Sequence, residues 1–321
     1  MGGWRRDFSL YSIPGLRKMI EPAAELHGGT GSESGYAKRR NSHLNRTRTT
    51  MRLLKVVGLL ATFALICSAC SDSGRTGLAG GGETLRVDEA PLVYVSLGPS
   101  GNFFPSPTTG MIFLYADMLE ERFGVEVDHR NHTIGGDDAE ALLERMRTND
   151  RLRQDLADAH VVTLMFPIDH WVLALQTNSG YQGIDPASCG GDDNQQCLRD
   201  ASLIDRQHVD DILEELTLQC PPNEVLIRIA DTYMIHTRDQ AAAGSLEVVI
   251  PYWRDAQEYI EEAATDLGIP VAHVFDALMG PDGLDDPQEK GLMLDDQEHP
   301  NEAGARLMAD LVDGLGYDLA G

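Results

Sequence analysis

Lysine is nearly missing from most of this chain: beyond Lys55 only Lys290 remains. Positive charge is scarce throughout, with 26 Lys and Arg against 51 Asp and Glu and a formal net charge of −25. Much of that small basic share sits in Met1–Thr50, at Arg5, Arg6, Arg17, Lys18, Lys38, Arg39, Arg40, Arg46 and Arg48, so the remainder is more acidic still. Such a surface repels phosphates and anionic headgroups, which excludes nucleic acid as a partner. A GC-rich genome or adaptation to salt both produce this composition. The apolar run Val56–Ile66 is too short to span a bilayer comfortably. There is no internal repeat and no sign of a second domain boundary. Nor does any His, Cys or carboxylate spacing match a zinc pattern. Asp128-His129, His132 and Asp137-Asp138 read as surface or supporting polar groups, and no metal or organic cofactor is expected.

Cysteine is also sparse, at five residues. Arg52 and Lys55 precede Val56–Ile66 as a basic n-region precedes the apolar core of a signal peptide. The following Cys67-Ser68-Ala69-Cys70 resembles a bacterial lipobox, with Cys67 where leucine is usual. That resemblance implies lipidation of Cys70 and attachment to a membrane through lipid; the alternative is an ordinary secretory cut near Ala69. The expected organisation is an upstream, non-native or disordered extension at 1–50 and a signal peptide at 51–70. A Gly-rich flexible linker at 71–89 and one domain at 90–321 follow. Three cysteines remain after Cys70, and an odd number leaves one unpaired. Cys189 and Cys197 flank a turn, Gly190-Gly191-Asp192-Asp193-Asn194, that can bring them together, with Cys220 as the free thiol; the other pairings stay open.

From Leu92 onward two periodicities alternate. Short β-rich runs occupy Leu92–Leu97, Val125–Arg130, His160–Phe166, Glu224–Ala230 and Ile269–Phe275. Helix-period stretches occupy Gly110–Phe123, Asp137–Thr148, Asp205–Leu218, Tyr252–Leu267 and Asn301–Leu315. This alternation predicts an α/β protein, a three-layer α/β/α sandwich on a five-stranded parallel sheet in the order 2-1-3-4-5. Pro167 to about Ile204 shows no clear period and reads as a long binding excursion.

Ligands of open parallel sheets bind beyond the carboxyl ends of the strands. Ser100 follows the first strand, Gly135-Gly136 the second, and Pro167-Ile168-Asp169-His170 the third; Asp296 and His299 precede the last helix. All therefore converge on one rim. Serine becomes a nucleophile only when a histidine takes its proton, and that histidine needs a carboxylate to hold its tautomer.

These pieces resemble the SGNH (GDSL-type) hydrolases. The first block of that family, Gly-Asp-Ser, corresponds to Gly98-Pro99-Ser100. The oxyanion-hole glycine corresponds to Gly136 within Asn131-His132-Thr133-Ile134-Gly135-Gly136. The asparagine of the third block corresponds to Asp169, and Asp-x-x-His stands unchanged as Asp296 and His299. Chain order separates this pattern from the α/β-hydrolases, whose serine elbow lies mid-chain.

The resemblance implies a flavodoxin-like sheet and an exported serine esterase. Ser100 would be the nucleophile, His299 the base and then acid, and Asp296 its orienting partner. The backbone N–H groups of Ser100 and Gly136, together with Asp169, would form the oxyanion hole. The substrate would be a small ester, an acylated glycan or a lipid, with oligomeric state unassigned. Pro99 removes a structural hydrogen bonder and pushes Gly98 out of the helical region. Asp169 is the more serious departure, because an ionised carboxylate repels an oxyanion that asparagine would bind. The rival class is a catalytically reduced lipoprotein of the same fold that binds an acyl or sugar ligand. The location would be the outer face of the cytoplasmic membrane, or outside the cell.

Overall fold

Five short strands form one parallel sheet, aliphatic in β1, β3, β4 and β5 and polar in β2. β1 (Leu92–Leu97) is buried along its whole length and lies between β2 (Val127–Asn131) and β3 (Val161–Met165). β4 (Leu226–Ala230) pairs with β3 and β5 (Val271–Ala272) with β4, giving the order β2-β1-β3-β4-β5. Apolar side chains on both faces of β1, β3 and β4 are what a parallel strand covered by helices requires. These coordinates are a computed structural model, which describes residues 84–85, 91–102, 104–167 and 189–320. The chain divides into two compact units, Met1–Gly77 and Leu78–Gly321, and every described residue lies in the second. Cys70, the extension 1–50, the signal-like stretch 51–70, Asp169 and the rest of 168–188 lie outside the described residues.

The connections are helical. α1 (Met111–Phe123) joins β1 to β2 and ends on Gly124, whose φ of 68° suits a residue without Cβ. α2 (Ala139–Thr148) and α3 (Asp150–Ala157) join β2 to β3, capped by the side chains of Asp138 and Asn149. α4 (Gln196–Gln219) precedes β4; α5 (Thr237–Ala243) and α6 (Leu246–Thr265) precede β5. α7 (Val274–Met279) and α8 (Glu302–Asp313) follow, the latter capped by Asn301. Right-handed crossovers put α1 on one face, because the chain steps from β1 outward to β2, and α2, α4 and α6 on the other, because it then steps back across the sheet. Packing agrees: α1 contacts α8, while α4 contacts α2 and α6.

Several boundaries differ from expectation. β5 is far shorter than Ile269–Phe275, because the buried carboxylate of Asp231 accepts the N–H of Phe275 at 2.9 Å and starts a helix there. α4 begins at Gln196, inside the stretch that lacks a clear period, since Leu198, Ala201 and Ser202 already belong to its buried face. α6 runs through Pro251, burying Leu246, Val249, Ile250 and Trp253; proline conceals that start in the sequence. The domain also starts before Ala90. Leu85 is buried, its N–H donates to the Tyr317 carbonyl at 2.9 Å, and Thr84 bridges Asp318. The disulfide joins Cys189 to Cys197. Cys220 is free and buried, its thiol donates to the Leu156 carbonyl, and burial pushes its pKa up to about 12.

A buried cation ties the C-terminal segment to the sheet. Arg228 on β4 is 2% exposed, and its guanidinium donates to the carbonyls of Ile227, Gly316 and Asp318. Carbonyl dipoles, rather than a carboxylate, offset its desolvation and tie the C-terminal segment to the sheet.

α8 sits close on the segment that leads into the Asp-x-x-His turn. A Cβ on Gly304 would lie 2.1 Å from the Leu292 carbonyl oxygen. Gly304→Ala is therefore expected to destabilise the protein by about 1–3 kcal/mol through overpacking, read as a lowered urea midpoint. A midpoint equal to wild type would refute that close approach.

Candidate active site

The chain leaves β1 through Gly98, whose φ is +126°. A Cβ there would lie 2.5 Å from both the Asn102 amide nitrogen and the Met165 carbonyl oxygen. Glycine is thus required twice, by conformation and by space. A single 3-10 turn, Ser100–Asn102, follows. Asn102 is fully buried and its Nδ2 donates back to the Leu97 carbonyl at 3.2 Å. This bond ties the turn back to the end of β1. Pro99 supplies no such bond, and Asn102 does.

Ser100 Oγ and His299 Nε2 are 2.9 Å apart, and His299 Nδ1 and Asp296 Oδ2 are 2.9 Å apart. The second contact is local. Asp296 Oδ1 also accepts the N–H groups of Glu298 at 2.9 Å and His299 at 3.0 Å, closing an Asx turn. Met293 and Pro300 bridge across the base of that turn. The first contact spans the chain and depends on the sheet. Phe104 lies flat on the His299 ring, with centroids 3.8 Å apart and planes inclined by 24°. The imidazole is therefore mostly covered, with a side-chain exposure of 15%.

The segment after β2 reaches the same rim. His132 N–H donates to Ser96 O at 2.9 Å and Ile134 N–H to Gly98 O at 3.1 Å, so this stretch runs beside β1 as far as the Ser100–Asn102 turn. Gly135-Gly136 follow in an exposed turn, with Gly136 at φ 71°. Arg145 braces both sides of it, donating to the His132 carbonyl at 3.2 Å and pairing with Asp137. Asp169 falls outside the described residues.

The other polar clusters have partners of their own. Asp155 pairs with His132 and Arg130, and Arg130 also reaches Asp128 and Asp158. Asp193 in the disulfide loop pairs with Arg199. Among the described residues no three His, Cys, Asp or Glu side chains are grouped to hold a metal, and no helix is long and apolar enough to cross a membrane. A second Ser–His contact, Ser96 Oγ to His129 Nε2 at 2.9 Å, lies within the sheet. Ser96 is fully buried and burial pushes His129 down to about 4, which makes the pair a structural one.

Three residues at the rim escape sequence inspection: Phe104, Tyr233 and His236. Tyr233 Oη donates to the Glu298 carbonyl at 2.9 Å, and His236 Nε2 lies 2.9 Å from the Glu298 carboxylate. The one sequence signal is position: Tyr233 and His236 lie in the loop beyond the carboxyl end of β4, and Phe104 beyond that of β1.

Comparison with solved structures now places the fold. A lipase from a goat rumen metagenome superposes with a TM-score of 0.55 at 17% identity, over 71% of this chain and 99% of that one. A protein of Parabacteroides merdae described as a GDSL-like lipase gives 0.51 at 15%, over 72% of this chain and 98% of its own. No family model and no curated protein matches the sequence. The chain has the α/β fold of the SGNH (GDSL-type) hydrolases.

Burial raises the pKa of the Asp296 carboxyl, but the bond to His299 and the two backbone N–H donors outweigh it and hold the group below its ordinary value. A depressed folded-state pKa contributes stability that is complete above the unfolded value, near about pH 4, and is lost as pH falls through the folded one. The urea-midpoint gap between wild type and Asp296→Asn should be constant above about pH 5 and shrink below about pH 4. A gap independent of pH would show that the carboxylate is not held this way.

Proposed function

We propose that this chain is an exported serine hydrolase of the SGNH type that cleaves carboxylic esters. The observation that carries the proposal is the continuous line from Ser100 Oγ through the His299 ring to Asp296 Oδ2, with both contacts at 2.9 Å. His299 Nε2 takes the Ser100 proton as Oγ attacks the ester carbonyl carbon. Asp296 accepts from Nδ1–H, fixing the tautomer and stabilising the imidazolium. The N–H groups of Ser100 and Gly136 are assigned to the oxyanion. Collapse of the tetrahedral intermediate breaks the ester C–O bond, and His299 returns the proton to the leaving alcohol. Water, deprotonated by His299, then releases the acid and restores Ser100. The lipases that share the fold support an ester substrate. The lipobox-like Cys67–Cys70 supports a mature N-terminus at Cys70 held on the membrane by lipid.

The test is labelling with a fluorophosphonate together with turnover of an aryl ester. Modification at Ser100 is expected, and Ser100→Ala or His299→Ala should lower kcat/KM by at least about a thousandfold. Folded wild type that takes no label and turns over no ester would instead favour the ligand-binding reading, in which Pro99 and Asp169 mark lost catalysis.

Asp169 is the second point of test. An amide at that position supplies an N–H that an ionised carboxylate cannot. Asp169→Asn should raise kcat by up to about a hundredfold, the worth of one oxyanion donor. An unchanged kcat would remove position 169 from the oxyanion hole.

A further inference from the structure

We infer that Tyr233 is a positioning residue that sets the approach of His299 to Ser100, its hydroxyl wedged beneath the nucleophile turn and bonded to the turn that carries the histidine. This rests on the serine-hydrolase proposal and names a part of the site that no family block supplies.

Two observations meet at one atom. Tyr233 Oη donates to the carbonyl of Glu298, the residue before His299, at 2.9 Å. The same oxygen lies 2.5 Å from where a Cβ on Gly101, the residue after Ser100, would stand, and Cε1 and Cζ of the ring lie at 3.3 Å. The phenol is 5% exposed, and burial pushes its pKa up from the ordinary value, so it remains a protonated donor. The loop it belongs to holds the histidine turn at two more points. His236 N–H donates to the Gln297 carbonyl at 3.0 Å, and His236 Nε2 lies 2.9 Å from Glu298 Oε1. Ser100 and His299 thus come from distant parts of the chain, and the segment after β4 gauges the distance between them. A buried phenol needs a partner wherever it lies. What singles out this one is that its partner and its steric neighbour each adjoin a reacting residue.

The experiment is a double-mutant cycle on ester turnover, with kcat and KM measured separately. Tyr233→Phe keeps the ring and removes the bond, so kcat should fall about tenfold with KM unchanged, because alignment acts on the chemical step. Gly101 does not lie in the left-handed region, so alanine is tolerated by the backbone, but its methyl meets the phenol oxygen. Gly101→Ala should lower kcat about a hundredfold. In Gly101→Ala/Tyr233→Phe the oxygen is gone, and kcat should return to the level of Tyr233→Phe alone. Losses that multiply in the double variant, or an unchanged kcat in Tyr233→Phe, would overturn the inference while leaving an active wild type and the hydrolase proposal intact. If Tyr233→Phe does not fold, Gly101→Ala decides: a fall in kcat at constant KM supports the wedge and an unchanged kcat overturns it. A wild type inert to ester and probe overturns the hydrolase proposal and this inference together.

Discussion

Everything at the rim depends on how the chain leaves β1. Gly98 takes a φ of +126° and passes between the Met165 carbonyl and the Asn102 amide with no room for a side chain. A strand that continued straight would carry Ser100 away from the sheet. The left-handed step instead folds the chain into the Ser100–Asn102 turn just beyond the carboxyl end of β1. Pro99 helps by fixing its own φ and by disfavouring a helical Gly98. Because β1 is flanked on both sides by parallel neighbours, the turn leaves from a strand hydrogen-bonded along both edges. Asn102 completes the device. Its amide bonds the Leu97 carbonyl and ties the turn back to the end of the strand.

The acidic composition sets a second problem: on the proposed mechanism, carboxylates must be kept from spoiling the electrostatics of a site that develops negative charge. Three acidic groups near the rim serve as acceptors. Asp296 receives two backbone N–H groups as well as the imidazole, Asp137 is paired with Arg145, and Glu298 is turned toward His236. Arginine does this work in place of lysine, and its forked donors hold carbonyl and carboxylate at once, as Arg145 does across the Gly135-Gly136 turn. Phe104 covers the imidazole with an apolar face and screens it from the surrounding acidic surface.

The parts that sequence makes legible are those whose cause is local. β1 matches its expected bounds residue for residue, because six consecutive residues suited to a covered strand end at Gly-Pro. The strand order follows from handedness rules once the alternation is seen. Asp-x-x-His is visible because the turn it makes closes within four residues. What is hidden arises from tertiary contact. The start of α6 is masked by Pro251, and the truncation of β5 depends on Asp231 reaching across from the end of β4. Tyr233, His236 and Phe104 carry no motif, since their roles exist only after β4, the histidine turn and the nucleophile turn are brought together.

This division bears on how such a site is assembled. The histidine turn is a self-contained module: Asp296 orders its own backbone and ring partner, and the Met293–Pro300 bridge closes it whether or not Ser100 is near. The nucleophile turn is likewise ordered from within, by Gly98 and Asn102. The bond between them joins residues 199 apart, and its geometry is the summed result of four strand pairings and the packing of α8. Small errors in that sum would reach the reacting atoms undiminished unless some element measured the gap directly. A loop from β4, a strand that pairs with neither β1 nor β2, lies against both modules through side chains buried at the rim. If Tyr233 is the positioning residue inferred above, the spacing of the two turns is set by this direct contact rather than by the exact curvature of the sheet.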